Sequence, residues 1–196
     1  MPIKRGGKYF QILDAALKTF ALDGYHRTQV ARIAKEAGVA DGTIYLYFES
    51  KEDILISLFT EKMEAFVSEL KAKLQKGKGF EENLKILVNH HLGLLGSNPA
   101  QAMFTQIEMR QIDPVINQGI SGPLKSYFWV IEEVIRSGQS EGCVSMDLDV
   151  RLARKMVFGA IDEVVTCWVM SERKYELSSL SDPLYIMLKA ALCATK

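Results

Sequence analysis

The chain has no apolar run as long as the roughly 18 residues that a membrane-crossing helix requires, so no transmembrane segment is expected. Its opening, MPIKRGGKYFQIL, has basic residues but no apolar core followed by a small-residue cleavage site, so no secretory leader is read there. Cysteine is sparse: Cys143, Cys167 and Cys193 are widely spaced and odd in number. They fit neither a disulfide framework nor a zinc or CxxC spacing, and reduced thiols in a cytoplasmic protein are the expectation. Histidine is equally scarce, and the adjacent His90 and His91 would point about 100° apart on a helix. No metal site and no cofactor are therefore expected. GxSxG is absent, no Ser-His-Asp order is convincing, and the neighbouring carboxylates Asp162 and Glu163 diverge on a helix, so the chain does not read as an enzyme.

Excess charge is lacking too. Net charge is zero, which argues against a strongly basic nucleic-acid binder. The average hides a small asymmetry. Residues 1–52 hold eight Lys/Arg against six Asp/Glu, a balance of +2, and the remainder carries −2. That skew is compatible with phosphate contact at the N-terminus without demanding it.

What is present is helical periodicity almost throughout, with no alternating strand and no internal repeat. Ile12, Leu13, Ala16, Leu17, Phe20 and Ala21 form one apolar stripe, stopped by Asp23-Gly24. Val30, Ile33, Ala34 and Ala37 form a shorter one, with Thr28 placed as an N-cap and Gly38 as the residue past the C-terminus. A short segment at 40–48 is third. A long helix follows from about Lys51 to Gln75, ended by Gly77 and Gly79. A fifth carries Leu84 to Leu95, and Asn98-Pro99 opens a sixth. Asp113-Pro114 separates that from a seventh region, in which Gly119, Gly122 and Pro123 suggest a broken start. Residues 149–170 and 183–194 give two more. The last two are apolar on more than one side, which a partner subunit would cover. Two helices from each of two chains would make a two-fold four-helix interface, so a homodimer through the C-terminal helices is expected.

Residues 38–55, GVADGTIYLYFESKEDIL, pose a separate question, because a helix so short is not stable alone. On a helical wheel Ile44 and Phe48 point inward together, aided by Val39 from the turn. Gly42, Thr43 and Leu46 face outward, flanked by Tyr45 and Tyr47. A slim exposed tip after a glycine turn has the shape of a helix-turn-helix. Thr43 suits a base edge, Leu46 a thymine methyl, and Tyr45, Tyr47 and Lys51 suit phosphates. Asp41 fits a helix N-terminus but repels phosphate unless it accepts from a cytosine amine. The alternative is a surface helix with incidental tyrosines.

The stretch TQVARIAKEAGVADGTIYLYFESKEDIL resembles the N-terminal signature of TetR-family transcriptional regulators, over about residues 8–56. The resemblance implies a nine-helix all-α fold, with a helix-turn-helix head at residues 1–50 and a ligand-binding and dimerisation domain at 51–196. It implies double-stranded operator DNA as partner, with Thr28, Ala40, Asp41, Gly42, Thr43, Tyr45, Leu46, Tyr47 and Lys51 as candidate contacts. One departure stands out: Ala40 occupies a place where many members have a capping Ser or Thr, and Asp41 is the candidate replacement.

The remaining residues hold adaptable apolar side chains: Phe59, Met63, Phe66, Met103, Phe104, Ile107, Tyr127, Phe128 and Ile131. Periodicity alone favours an ordinary core; Met beside aromatics also suits an alkyl pocket. The phrases QIEMRQ and LDVRLARKMVFGAIDEVVTCWVM resemble a subgroup of TetR-type repressors of fatty-acid degradation, which long-chain acyl-CoA releases from DNA. That implies an alkyl pocket, with Arg110 the first candidate for the coenzyme A phosphates and Lys85, Lys125, Arg151 and Arg154 weaker ones. His91 becomes a polar pocket residue. Asp162 is read either as a salt-bridge partner, to Arg110 or across the dimer, or as a ligand contact. Another hydrophobic effector, such as a drug, flavonoid or different lipid, is the alternative.

Overall fold

The computed structural model describes residues 6–74, 79–171 and 175–193, and among these it is built from helices alone. They run α1 Gly7–Asp23, α2 Val30–Ala37, α3 Asp41–Ile44, α4 Lys51–Lys73, α5 Phe80–Ser97, α6 Pro99–Glu108, α7 Pro114–Ser140, α8 Val150–Met170 and α9 Ser181–Leu192. A single 3₁₀ turn, Leu177–Leu180, precedes α9. The expected ends of the fourth and ninth helices at Gln75, Gly77 and residue 194 lie outside the described residues. No described helix is long and apolar enough to cross a membrane.

Two compact units are present. The first is Met1–Met63 with Ala100–Pro123; the second is Glu64–Pro99 with Leu124–Lys196. The helices α4 and α7 each begin in the first unit and end in the second. The resemblance implies a head at 1–50; the first compact unit contains it together with residues 51–63, α6 and the start of α7.

In the first unit α1 packs on α2 and α2 on α3. The expected inward stripe of α1 is buried from Ile12 to Phe20, with Ala21 half-buried, and Gly24 ends the helix with φ 77°, a left-handed value that favours glycine. Gly38 does the same for α2, at φ 65°, its N–H reaching back to the Ala34 and Lys35 carbonyls. Phe104 of α6 stacks on Phe20 of α1, ring centroids 6.2 Å apart. Asp113 starts α7 by accepting from the N–H groups of Val115 and Ile116, with Pro114 at the first helical position.

The expected break near residue 120 does not occur: α7 is one helix with Pro123 inside it. Gly119 serves packing there. A Cβ at that position would lie 2.6 Å from Ile56 Cδ1 on α4, so the glycine is what lets the two helices approach.

In the second unit α5 is central, packing on α8, on α9 and on the 3₁₀ turn. Asp149 caps α8 by accepting from the Leu152 N–H at 2.7 Å.

Candidate functional site

The segment 38–48 folds as the wheel implies in its essentials. Ile44 and Phe48 are buried, and Phe48 stacks on Tyr9 of α1 at 5.1 Å between centroids. Tyr45 and Leu46 are exposed, as are Ala40, Asp41 and Gly42, while Thr43 and Tyr47 are half-buried. Two details differ. The α-helix is one turn, Asp41–Ile44, and continues as a hydrogen-bonded turn in which Phe48 N–H reaches Ile44 O at 3.0 Å. Asp41 does not cap it; Ala40 is the N-cap and no side chain bonds there.

Thr28 also departs from expectation. The N-cap of α2 is Gln29, and Thr28 is 2% exposed. Its hydroxyl donates to Gly24 O at 2.8 Å, because the turn after the left-handed Gly24 folds Thr28 inward. It is therefore a turn residue, without the exposed oxygen that a phosphate contact needs.

Lys51 has a similar inward role. Its ammonium donates to the carbonyls of Tyr25 (3.0 Å), Thr28 (3.1 Å) and His26 (3.4 Å), and stands 4.4 Å from the Tyr25 ring centroid. It ties the turn between α1 and α2 to the start of α4. The Tyr25 hydroxyl adds a bond to Glu52 at 3.0 Å, and burial followed by that bond pushes the phenol well above its usual range. The cluster Glu-Ser-Lys-Glu-Asp begins α4: Asp53 N–H donates to Ser50 Oγ, and the Asp53 carboxylate accepts from Glu49 N–H at 2.9 Å.

Glu108, in the QIEMRQ phrase, was not singled out by sequence. It is 1% exposed at the end of α6. Burial raises its pKa, against hydrogen bonds from the Gln111 side chain and the Tyr25 backbone and the nearby charges of His26 and Lys51. The same turn is thereby held from α6 as well.

The interior candidates fall into both units. Phe59, Met63, Met103, Phe104, Ile107 and Arg110 belong to the first; Phe66, His91, Tyr127, Phe128, Ile131 and Asp162 belong to the second. In the first, Phe59 and Phe104 are buried with centroids 6.4 Å apart, Met63 is buried and Met103 half-buried, whereas Ile107 is 48% exposed. Arg110 is exposed and turns back on its own helix, donating to the Gln106 carbonyl and side chain. In the second unit His91 Nδ1 and Tyr127 Oη lie 2.7 Å apart, with the Phe66 ring edge-on to both and Ile131 buried. Burial pushes His91 down to about 3 and, with the Asp162 charge second, Tyr127 upward. Asp162 is buried.

Phe158 of α8 joins this group unforeseen, 6.1 Å from Tyr127 and 4.9 Å from Phe128 between centroids. His90 faces elsewhere, its ring between Phe66 O (3.1 Å) and Lys73 Nζ (3.0 Å). Of the weaker cation candidates, Lys85 pairs with Asp182 at 3.0 Å and Arg154 with Glu132 at 3.3 Å, Arg154 also lying over Phe128. Lys125 and Arg151 are exposed.

On α8 the side chains of Leu152, Met156, Cys167 and Met170 form an exposed stripe with Gly159 and Glu163, and α9 exposes Ile186 and Met187.

Comparison with known proteins completes the description. Residues 12–58 match the family described as "Bacterial regulatory proteins, tetR family", and residues 59–191 match "YsiA-like protein, C-terminal region". The chain belongs to the TetR family. Among its TetR-type relatives is the fatty acid metabolism regulator protein of Bacillus subtilis, 45% identical over 185 residues, covering 94% of this chain and 95% of that one. The solved fatty acid degradation regulator FadR of Bacillus halodurans superposes with TM-score 0.92 at 47% identity, covering 97% and 98% of the two chains. FadR of Bacillus subtilis in complex with stearoyl-CoA gives 0.90 at 44% identity, covering 94% and 99%. The expected family, the all-α fold, with nine α-helices among the described residues, and the likeness to regulators of fatty-acid metabolism are thereby established for this TetR-family chain. The missed residues left little signal: Glu108 shows only as a carboxylate in an otherwise uncharged helix, and Phe158 only as an aromatic beside the apolar stripe of α8.

Proposed function

We propose that the chain is a cytoplasmic transcriptional repressor of fatty-acid degradation genes that binds a palindromic operator and is released by long-chain acyl-CoA. The observation that carries this reading is the 45% identity, over nearly the full length of both chains, to a fatty acid metabolism regulator. A similar protein holding stearoyl-CoA supports the effector class. Residues 1–50 act as the DNA head, through the exposed Gly42, Tyr45 and Leu46 with Thr43 and Tyr47, and residues 51–196 take the effector and the partner subunit. The exposed apolar stripes on α8 and α9 suit a two-fold homodimer, which would set two α3 segments about 34 Å apart, one turn of B-DNA. Effector and operator then oppose one another by a coupling of typically about 1–3 kcal/mol.

The test is thermal melting with palmitoyl-CoA, free CoA and free palmitate in parallel, alongside release from operator DNA. At 100 times its dissociation constant a ligand adds about 2.7 kcal/mol, a shift of several degrees. Stabilisation and release by palmitoyl-CoA are expected. Absence of both would remove acyl-CoA as the effector and leave the DNA-binding reading standing.

A further inference from the structure

Tyr25 lies in the turn between α1 and α2 and is 4% exposed. Two other helices of the first unit hold its polar groups. From α4, the Lys51 ammonium donates to its carbonyl at 3.0 Å, and Glu52 accepts from its hydroxyl at 3.0 Å. Its backbone N–H is bonded to Glu108, the last residue of α6. That bond favours the charged carboxylate, so the N–H is the donor. The turn leads straight into α2, on which α3 packs, and beyond α3 stand the exposed Tyr45 and Leu46. A bond at Tyr25 therefore acts on where that tip points.

As a purely structural contact Glu108 would be costly. It is almost wholly buried, and it closes a helix whose dipole disfavours negative charge at that end. The Gln111 side chain, His26, the Tyr25 N–H and Lys51 all favour the carboxylate, yet burial outweighs them. A neutral side chain of similar size would fill the place without that cost. Nor does α6 need Glu108 in order to pack on the head. One helical turn earlier Phe104 already stacks on Phe20 of α1. What Glu108 adds is a directed bond to the turn.

We infer that Glu108 is a positioning residue for DNA binding: from α6 it grips the α1–α2 turn in the conformation that presents α3, and the cost of keeping its charge buried leaves the grip releasable. This rests on the operator reading above and adds to it a residue too deeply buried to touch DNA.

Two substitutions at Glu108 should then move operator affinity in opposite directions. Glu108→Ala removes the bond to the turn. Glu108→Gln keeps an acceptor for the Tyr25 N–H and removes the charge, and Gln111 can turn its amide to suit. The experiment uses the full chain, with a duplex that the wild type selects from a random-sequence library as probe. Glu108→Ala is expected to bind it about tenfold more weakly, as follows when only about a tenth of the heads hold the competent turn. Glu108→Gln is expected to bind at least as tightly as the wild type and to melt at a higher temperature. Hydrogen exchange at the Tyr25 amide should quicken with alanine and slow with glutamine, while α8 and α9 exchange as in the wild type.

Wild-type affinity in Glu108→Ala would overturn the assignment and leave the operator reading intact. Weaker binding by Glu108→Gln would do the same, and that comparison stands even if the alanine variant does not fold. Exchange quickened alike at Tyr25 and across α8 and α9 would mark a general loss of stability and would also overturn it. A wild type that selects no duplex would overturn the operator reading and this assignment with it.

Discussion

The turn between α1 and α2 and the interior of the second unit use polar side chains differently. Around that turn they hold backbone groups. Lys51 holds three carbonyls of one turn, Thr28 bonds a carbonyl four residues back, and Ser50 with Asp53 starts α4. Inside the second unit three pairs join side chain to side chain across helices: His91 with Tyr127, Lys73 with His90, and Arg154 with Glu132. The first pattern fixes a loop so that α3 can be presented outward. The second closes an interior. A surface for DNA depends on backbone placement, and a surface for a small molecule depends on which groups remain available inside.

The largest expected effect tests how far the first unit depends on its few anchors. Phe48→Ala should cost about 3–5 kcal/mol of stability, the range for a buried phenylalanine. Urea unfolding measures the cost, and operator binding should be lost at temperatures where the wild type retains it. A loss below about 1 kcal/mol would show that Phe48 does not pin α3.

Lys51→Met comes next, at roughly 1.5–3 kcal/mol for loss of charged hydrogen bonds. Operator affinity should fall because the turn loosens. The dependence of affinity on salt should keep its slope, since no phosphate contact is removed. A slope reduced by about 0.9 per lost contact would make Lys51 a phosphate ligand after all and break the contrast between the units.

The third prediction concerns pH and belongs to the second unit. Burial lowers His91 to about 3, so between about 3 and the ordinary histidine value near 6.5 the folded chain binds fewer protons than the unfolded chain. Its contribution is complete above that range and declines as pH falls, by up to about 1.4 kcal/mol per pH unit. His90, lowered chiefly by burial, acts in the same direction. Urea unfolding at pH 7 and pH 5.5 should show a smaller decline for His91→Asn than for the wild type. Equal declines would place the titration elsewhere.

The smallest effect on stability is the sharpest for function. Tyr45→Phe removes an exposed hydroxyl and should change stability by no more than about 0.5 kcal/mol. Operator affinity should nevertheless fall across all sequences alike, as for a phosphate contact. An unchanged affinity in a gel-shift series would take Tyr45 out of the interface.

How much of this was legible in the sequence follows the same division. Ile44 and Phe48 could be placed from a spacing of four, and Gly38 from its place after an apolar stripe, because both depend on local geometry. Thr28 was misread as an N-cap, and the turn that Lys51 holds was not foreseen, since a helix start and a lysine look alike whether they face solvent or a folded turn. Glu108 was passed over because Tyr25, His26 and Lys51, which surround it, lie far away in the chain. The continuous α7 was misread because glycine and proline suggest a break, while the close approach of Ile56 that makes Gly119 necessary is a tertiary fact. His91 was identified as a polar interior group, but the sequence does not name Tyr127 as its partner.

The two tryptophans turn this division into an optical one. Trp168 is buried, its indole N–H donating to Tyr175 O at 2.8 Å, and Trp129 is half exposed with the Lys71 ammonium 5.3 Å from its ring centroid. Both belong to the second unit, and the chain has no others. Indole fluorescence is therefore blind to the DNA head, whereas far-ultraviolet dichroism senses the helices of both units. Denaturation curves recorded by the two signals superimpose only when the units melt as one cooperative body. The placement of two side chains thus equips the unlabelled protein to report whether its head can unfold while its interior stays shut.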